Sequence, residues 1–490
     1  MKKIILIAIA FCSLIGTISA QELDKSTLSP CGYTGKSEWL EYYQTHQAEF
    51  ENNAARGKVT YMPITVFNVG NDDSTGFYNI TNLLNAICQL NTDFVPAGIQ
   101  FYLSEDIKYL RNTVQNNAKT FAESEGLYQN NITNTINCYV VTNAAGNCGF
   151  DWYGGLVLTK GCIAPGDHTW AHEMGHELSL PHTFSGWEGK KVDVTTNAPK
   201  KVGNKNVELL DGSNCSNSGD GFCDTPADYI SDRWTCNGLK KSYTMKDPTG
   251  ATFEADGRFY MSYSNDACMD RFSPLQMQAM LANANSQKGA YQDPNLVIQP
   301  AVSQAVKYIS PIDTAVVSPT NVTIKWDAVP DAKYYYVLVS RLPGFDITTV
   351  RQVVTGTSIT IPKLDAGKKY YWKVKPYNDF NACAPFSTKQ IFVTASISAA
   401  QDISEFESIS IFPTVLDEVK TIQIKIDAKQ AMSIKANLVN VNGQVLKTEN
   451  WQVVAGLQNF TIDANQLPKG FYILNLQYEG KNYNQKLIVQ

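Results

Sequence analysis

The chain has 490 residues, a length that predicts about three domains because a typical domain has roughly 150 residues. Apolar residues make up 43% and charged residues 18%, and the mean hydropathy is −0.22, values that exclude a wholly disordered chain and a multi-span membrane protein. The 41 Lys and Arg residues against 46 Asp and Glu residues give a formal net charge of −5 at pH 7. This balance provides no basic footprint, and we expect no nucleic-acid partner.

The first 20 residues have the pattern of a secretory signal peptide. Lys2 and Lys3 precede an apolar run over residues 4–15, and small residues follow it before Gln21. The run is too short for a membrane anchor, which needs about 20 apolar residues. The sequence therefore predicts a secreted or cell-surface protein whose ten remaining cysteines face an oxidising environment, where disulfides are expected.

Two regions of different character follow the leader. Residues 21–56 are polar, with a helix-like pattern over 37–52, and we interpret them as a short pro-segment. Residues 57–300 mix strand and helix patterns, which predicts an α+β domain. Strands are expected at 59–67, 99–103, 138–141 and 155–158, and helices over 80–90 and 170–178.

Residues 305–396 alternate apolar and polar side chains between closely spaced turns, which predicts an all-β domain. Leu364, a turn at Gly367 and Tyr370 lead into an alternating strand, a pattern that resembles fibronectin type III domains. The resemblance implies that Trp326 is the core tryptophan and Tyr370 the corner tyrosine. A different small sandwich is the alternative.

Residues 407–490 form a third region of short strands separated by turns. The region resembles the carboxy-terminal sorting domain that Bacteroidota attach to cargo of the type IX secretion system. That resemblance implies the secretion machinery as a partner during export. A second ordinary β-sandwich is the alternative.

Three of the five histidines lie within eleven residues, at His172, His176 and His182. Residues four apart on a helix share a face, so His172 and His176 can present two imidazoles to one metal, with Glu173 beside them. Three nitrogen ligands leave one position open for water, which is the arrangement of catalytic zinc rather than of closed structural sites. We interpret the other two histidines, His46 and His168, as ordinary polar residues.

The window 172–182 resembles the extended zinc motif of the metzincin metallopeptidases, except that Ser179 stands where the family has glycine. Glycine allows a sharp turn after the helix, and serine carries a steric cost there if its φ is positive. The stretch from Met261 to Tyr263 resembles the methionine turn of the pappalysin and cytophagalysin branch. The resemblance implies that Met261 lies beneath the metal and that Tyr263 donates a hydrogen bond to the oxyanion.

The resemblances together imply a multidomain fold, with an α+β metzincin-like catalytic domain followed by two all-β sandwich domains. They imply a secreted zinc endopeptidase of extracellular proteins in which Glu173 activates a zinc-bound water. The alternative is a zinc-binding surface adhesin or carbohydrate-binding protein whose β domains provide the function. The sequence identifies neither the preferred cleavage site nor the oligomeric state.

A Gly-rich loop supplies a second metal hypothesis. By resemblance to the same branch, Asp220, Asp224 and Thr225 help to hold a structural calcium ion. Carboxylates and backbone carbonyls on such a loop suit a hard cation. A solvated turn without an ion is the alternative.

The predicted catalytic region contains eight cysteines, from Cys88 to Cys268, enough for four internal disulfides. The family resemblance suggests that Cys236 pairs with Cys268. A pairing of Cys215 with Cys223 is a further hypothesis, since spacing alone cannot establish connectivity.

If those eight cysteines pair among themselves, Cys31 has no obvious partner. Two hypotheses stay open for it. Its thiolate occupies the fourth zinc position and keeps the precursor latent until cleavage near Arg56, or it forms a disulfide with one of the eight or with Cys383.

Overall fold

The computed structural model describes residues 28–32, 36–51, 58–152, 154–395, 403–417, 420–441 and 443–490. The signal peptide expected at 1–20 and the cleavage expected near Arg56 lie outside these ranges. The first of two compact units comprises the described residues up to Ala305 together with Ala328–Tyr335 and Lys375–Phe386, and the second holds the remainder. Within the described ranges, no helix is both long and apolar enough to cross a membrane.

The first unit combines a mixed sheet with helices. Helices α1 to α7 cover Glu38–Thr45, Gln47–Glu51, Ile80–Phe94, Thr113–Asn116, Phe121–Ser124, Thr169–Glu177 and Pro274–Ser286. Strands β1 to β13 cover Ser29–Cys31, Thr60–Gly70, Ile99–Leu103, Lys108–Arg111, Asn117–Ala118, Ile136–Val141, Asn143–Ala144, Asn147–Trp152, Gly155–Thr159, Lys201–Val202, Lys205–Asn206, Lys241–Lys246 and Thr252–Asp256.

The main sheet has the order β3-β2-β6-β9-β8-β7-β5, with β1 added to β8 and β4 added to β2. Strand β2 pairs in parallel with β3 and β6, and β6 pairs in parallel with β9. The centre of the sheet is therefore a parallel block, which explains why β2 and β6 are almost continuously buried. Strand β8 runs antiparallel to β9 and carries α6 against it.

Helix α3 forms because its apolar residues repeat on one face and its first turn is capped. Leu83, Leu84, Ile87 and Leu90 are buried along that face. The side chain of Asn79 accepts a hydrogen bond from the Thr81 amide at 2.8 Å. The helix extends four residues beyond the last predicted apolar position.

The region predicted as the first all-β domain forms two sheets. Strands β14 to β21 cover Tyr308–Ser310, Ala315–Val317, Thr320–Trp326, Tyr334–Ser340, Thr348–Val354, Ser358–Lys363, Lys369–Tyr377 and Gln390–Thr394. They form the sheets β14-β16-β19 and β15-β21-β20-β17-β18. Trp326 and Tyr370 are buried, and the Tyr370 hydroxyl accepts a hydrogen bond from the Asp365 amide at 3.0 Å, the geometry of a tyrosine corner.

The last region is a second all-β domain with its own core. Strands β22 to β29 cover Phe406–Phe412, Val415–Leu416, Thr421–Ala428, Met432–Asn440, Val445–Val453, Gly456–Asp463, Gly470–Tyr478 and Lys481–Val489. The sheets have the orders β22-β24-β27 and β23-β29-β28-β25-β26. In β24 the alternate residues Ile422, Ile424 and Ile426 are fully buried, as the period of two requires for a strand with one face on a core.

Three disulfides join cysteines within the predicted catalytic region. Two of them are the pairs named from the sequence, and the third joins strand β8 to the turn that follows β9. The pairs are Cys236–Cys268, Cys215–Cys223 and Cys148–Cys162.

The expectation that all eight cysteines of this region pair among themselves is wrong. Cys88 of α3 pairs with Cys383, 295 positions later, with 5.1 Å between the two Cα atoms. The reason is that Lys375–Phe386 folds as part of the first compact unit. No local sequence pattern predicts this assignment. Cys138 keeps its thiol, buried in β6.

Candidate metal centre

Helix α6 is buried along its whole length and carries the first two predicted ligands. His172 and His176 lie one turn apart on the same face, and their Nε2 atoms are 3.1 Å apart. The two rings meet edge to face, with centroids 4.7 Å apart. The helix thus directs both imidazoles to one point.

The chain reverses directly after α6 and brings the third histidine to the same point. Ser179 has φ +75°, the left-handed conformation that favours glycine, so the steric cost considered from the sequence applies here. The Ser179 hydroxyl accepts a hydrogen bond from Asn283 Nδ2 at 2.7 Å, which ties the turn to α7. The return places His182 Nε2 3.2 Å from His176 Nε2.

Hydrogen bonds on the far side of two rings decide their tautomer. His172 Nδ1 lies 2.7 Å from the carbonyl oxygen of Tyr260, and His176 Nδ1 lies 2.7 Å from that of Leu180. A carbonyl only accepts, so each Nδ1 carries the proton and each Nε2 presents a lone pair. Lone pairs that converge at this distance repel one another unless a cation lies between them.

The spacing and chemistry of the three rings fit zinc. Ligands on a tetrahedral zinc at about 2.0–2.1 Å lie about 3.3–3.4 Å apart, close to the separations found here. His182 Nδ1 faces Glu188 Oε1 at 3.7 Å, so a carboxylate stands behind the third ring. Burial lowers the pKa of His172 to about 4, which keeps the ring neutral and able to bind a metal.

Glu173 stands beside this cluster with one oxygen uncommitted. Its Oε2 accepts a hydrogen bond from Cys31 Sγ at 3.3 Å, whereas its buried Oε1 has no hydrogen-bond partner among the described residues. The side chain lies so close to Gly149 of β8 that a Cβ there would be 2.7 Å from Glu173 Cγ. Burial raises the pKa of Glu173 to about 8, against the opposing effect of the Cys31 hydrogen bond.

Cys31 completes a four-ligand group with the histidines. Its Sγ and one ring nitrogen of each of His172, His176 and His182 all lie within 4.8 Å of one another. Strand β1 places Cys31 in this group because it pairs in parallel with β8, with Cys31 opposite Gly149. Cys31 keeps its thiol and lies outside the four disulfides of the described chain, so the alternative of a disulfide with one of the eight or with Cys383 is wrong.

Met261 packs against the helix that carries the first two ligands, and Tyr263 lies beside the ring of the third. Met261 is fully buried, and a Cβ on Gly175 of α6 would collide with its sulfur. The Tyr263 hydroxyl donates to the Cys31 carbonyl at 3.3 Å, and the two ring centroids of Tyr263 and His182 are 4.8 Å apart. Burial raises the pKa of Tyr263 well above its usual value, which keeps the hydroxyl a donor.

Replacing Gly175 with alanine should destabilise the protein by about 1–2 kcal/mol. Overpacking against Met261 costs about 1–3 kcal/mol, and the better helix propensity of alanine recovers up to about 1 kcal/mol. Urea unfolding curves of the full chain measure the change. Gly238→Ala, where an added Cβ meets nothing within 4 Å, is the matched control. Equal stability of both variants and the parent would refute the packing of Met261 under α6.

Sequence reasoning missed Asp228, which joins the two segments that carry the third ligand and the methionine. Its Oδ2 accepts hydrogen bonds from the Thr183 hydroxyl at 2.8 Å and the Ser262 hydroxyl at 3.2 Å. Burial raises its pKa to about 6, against the opposing effect of these hydrogen bonds. No motif marks this residue, because its role depends on contacts between distant parts of the chain.

His168 has a more specific role than the ordinary polar one that we inferred. Its Nδ1 lies 2.9 Å from Asp93 Oδ2, and the Tyr260 hydroxyl donates to Asp93 Oδ1 at 3.1 Å. Since the Tyr260 carbonyl orients His172, this network supports the candidate metal-ligand group.

The residues named for calcium lie together, but protein donors already bind their oxygens. Asp220 Oδ1 accepts from the Phe222 amide at 2.9 Å and from the Thr225 hydroxyl at 2.8 Å. Asp224 Oδ1 accepts from the Ser273 hydroxyl at 2.7 Å, at the start of α7. Calcium binding stays a prediction.

The carboxy-terminal region of the chain matches a known protein family. Residues 410–490 match the family of secretion system C-terminal sorting domains, the signal of the type IX system. The chain is an exported protein. The sorting domain also implies contact with the type IX secretion machinery during export.

Relatives of the chain that are named as proteases are distant. An extracellular metalloprotease of Sordaria macrospora is 27% identical over 242 residues, which cover 43% of this chain and 70% of that protein. An extracellular metalloprotease of Colletotrichum graminicola is 23% identical over 232 residues, covering 43% and 71%. Among solved structures, the FN1–FN3 domains of chicken CNTN1 match with 15% identity and a TM-score of 0.17, covering 37% of this chain and 66% of that one.

Proposed function

We propose that this exported protein is a zinc-dependent endopeptidase of the metzincin class, in its pappalysin and cytophagalysin branch. The observation that carries the proposal is the convergence of three histidine Nε2 atoms, 3.1 and 3.2 Å apart along the cluster, with the Glu173 carboxylate beside them. The relatives named extracellular metalloproteases support it, and their names indicate proteins or peptides as substrates.

His172, His176 and His182 would hold the metal, and the neutral tautomers described above suit that role. When bound, zinc supplies Lewis-acid chemistry that acidifies water and polarises a carbonyl group. Glu173 takes the proton from the attacking water through its uncommitted Oε1, then delivers it to the leaving amine.

Tyr263 is the residue placed to stabilise the charge that develops on the scissile carbonyl oxygen. Its hydroxyl now donates to the carbonyl oxygen of Cys31, a peptide carbonyl beside the cluster. A substrate carbonyl that replaces the Cys31 carbonyl can accept the same hydrogen bond.

The pro-segment keeps the precursor latent in this proposal. Cys31 Sγ stands in the ligand group, and β1 occupies the edge of β8 that an extended substrate would use. Farther along, Leu40 and Tyr43 of α1 are buried, and Gln44 Nε2 donates to the Asp220 carbonyl at 3.0 Å. Cleavage after these contacts, near Arg56, would release the segment and open both the metal position and the strand edge.

The proposal also assigns a role to each region of the mature chain. Residues 57–300 are the catalytic domain, 305–396 a fibronectin type III-like domain supported by the buried Trp326 and the Tyr370 corner, and 407–490 the sorting domain. A calcium ion at Asp220 and Asp224 would have to displace the hydrogen bonds that these carboxylates now accept.

Metal dependence tests the proposed function. Protein recovered from the culture medium should contain about one zinc per chain at this site and cleave casein, and a chelator should abolish cleavage reversibly. His182→Ala should lose most of the bound zinc, because two imidazoles remain. Tyr243→Ala, at an exposed ring of β12, is the control and should keep metal and activity. Unchanged zinc content in His182→Ala would show that the third ligand is wrong.

A further inference from the structure

The three proposed ligands differ in how their rings are held. Backbone carbonyl oxygens lie 2.7 Å from the Nδ1 atoms of His172 and His176 and fix the orientation of both rings. The Nδ1 atom of His182 faces a carboxylate oxygen of Glu188 at 3.7 Å, which is too long for a direct hydrogen bond. The position of the third ring therefore depends more on how the chain segment that carries it is anchored.

Two connections anchor the segment after His182 to the segment of Met261. The Thr183 amide donates to the Met261 carbonyl at 3.1 Å. Asp228 provides the second connection, because its Oδ2 accepts hydrogen bonds from the Thr183 hydroxyl at 2.8 Å and the Ser262 hydroxyl at 3.2 Å. One carboxylate oxygen thus joins the residue after the third ligand to the residue after the methionine.

Both oxygens of Asp228 are engaged, so the carboxylate has a fixed orientation. The residue is buried, and its Oδ1 accepts a hydrogen bond from the Ile230 amide at 3.0 Å. All of these partners donate, as an ionised carboxylate requires. An asparagine has a single side-chain oxygen, so its NH2 group would face either the Ile230 amide or the two hydroxyl groups. Substitution with asparagine therefore weakens the connection with little change in side-chain size.

We propose that Asp228 is a positioning residue that raises the affinity of the site for zinc by anchoring His182. It acts through Thr183 and is not itself one of the metal-ligand group. Residues that orient a metal ligand in this way typically contribute about 10–100-fold to metal affinity. The inference rests on the metal site of the proposed function, but it does not depend on peptide hydrolysis.

Competition with a chromophoric chelator measures the zinc affinity of protein recovered from the culture medium. Asp228→Asn should bind zinc about tenfold or more weakly than the parent. Asp247→Asn is the matched control. Asp247 lies buried in the turn between β12 and β13, where it accepts hydrogen bonds from the Thr249 hydroxyl at 2.7 Å and the Leu210 amide at 3.1 Å. Among the described residues, none of its hydrogen bonds reaches a segment that carries a ligand, so this variant should lose stability in urea and keep the parent zinc affinity.

Two further variants separate the ends of the connection. Thr183→Val keeps the size of the side chain but removes the hydroxyl group next to the third ligand, and it should reproduce most of the loss of zinc affinity. Ser262→Ala removes the end next to Met261 and should have a smaller effect on zinc affinity, because Asp228 still holds Thr183. Joining Thr183→Val with Asp228→Asn should add little to either single change, since both remove the same hydrogen bond.

The absorption spectrum of the Co²⁺-substituted protein supplies a readout that a general loss of stability does not change. Its bands depend on the geometry of the bound ligands, so Asp228→Asn and Thr183→Val should alter them and Asp247→Asn should not. Parent zinc affinity in Thr183→Val, unchanged bands in both variants, or an equal loss of affinity in Asp228→Asn and Asp247→Asn would overturn the inference. Should Asp228→Asn fail to fold, Thr183→Val decides alone. A parent protein that binds zinc but hydrolyses no peptide would refute the proposed function and leave these affinities valid.

Discussion

Replacing Glu173 with alanine is expected to lower kcat/KM for peptide hydrolysis at least about a hundredfold while the zinc content stays constant. The reason is that Glu173 is placed beside the three converging imidazoles with a buried oxygen free to take a proton, but it is not itself one of the metal-ligand group. Steady-state kinetics with a quenched fluorescent peptide and metal analysis of the same sample measure both quantities.

Glu254→Ala is the control for this experiment, because Glu254 is exposed on β13. It should retain the activity of the parent. If Glu173→Ala protein still hydrolyses peptides within a few-fold of the parent, another group is the base and the mechanism proposed for this site is wrong.

Replacing Cys31 with alanine is expected to raise hydrolysis by the uncleaved precursor about tenfold or more. Activity follows the fraction of molecules whose fourth metal position is open, and removing the thiol removes the competing ligand. Strand β1 still pairs with β8 in this variant, so its activity should stay below that of the processed protein. Rates are measured on precursor that electrophoresis shows to be intact.

Cys138→Ala is the matched control, since Cys138 also keeps its thiol but lies buried in β6, outside the metal-ligand group. Its precursor should be as latent as the parent. A Cys31→Ala precursor that is equally latent would exclude the thiol as the group that blocks the site, and would leave strand pairing alone to account for latency.

Local patterns were enough to predict most of the scaffold. Residues 99–103 form a strand with the predicted bounds, and apolar spacing over 80–90 marks α3. Spacing likewise indicated that His172 and His176 would share a helix face, because helix geometry relates residues four apart regardless of context.

Contacts between distant segments were beyond local patterns. Strand β8 has little apolar alternation, yet it provides both the Gly149 position against Glu173 and the edge for β1. Asp228 gains its role through hydrogen bonds to the segments of His182 and Met261. Each of these features depends on contacts between segments that are far apart in the chain. The residues next to each position in the sequence do not reveal such contacts.

The cysteines illustrate the same limit. Parity within the catalytic region suggested four internal pairs, but Cys88 finds Cys383 because a segment from the following domain folds with the first unit. The short-range pair Cys215–Cys223, eight positions apart, was a hypothesis from the sequence, and the structure contains it. The pairing over 295 positions was not.

X-ray absorption at the zinc edge tests the central claim most directly. We predict that the intact precursor shows zinc bound by three nitrogens at about 2.0–2.1 Å and one sulfur at about 2.3 Å, and that the processed protein shows the nitrogens retained and the sulfur replaced by oxygen. Zinc-free protein after purification in zinc-containing buffer, or zinc bound without three nitrogen ligands, would contradict the account.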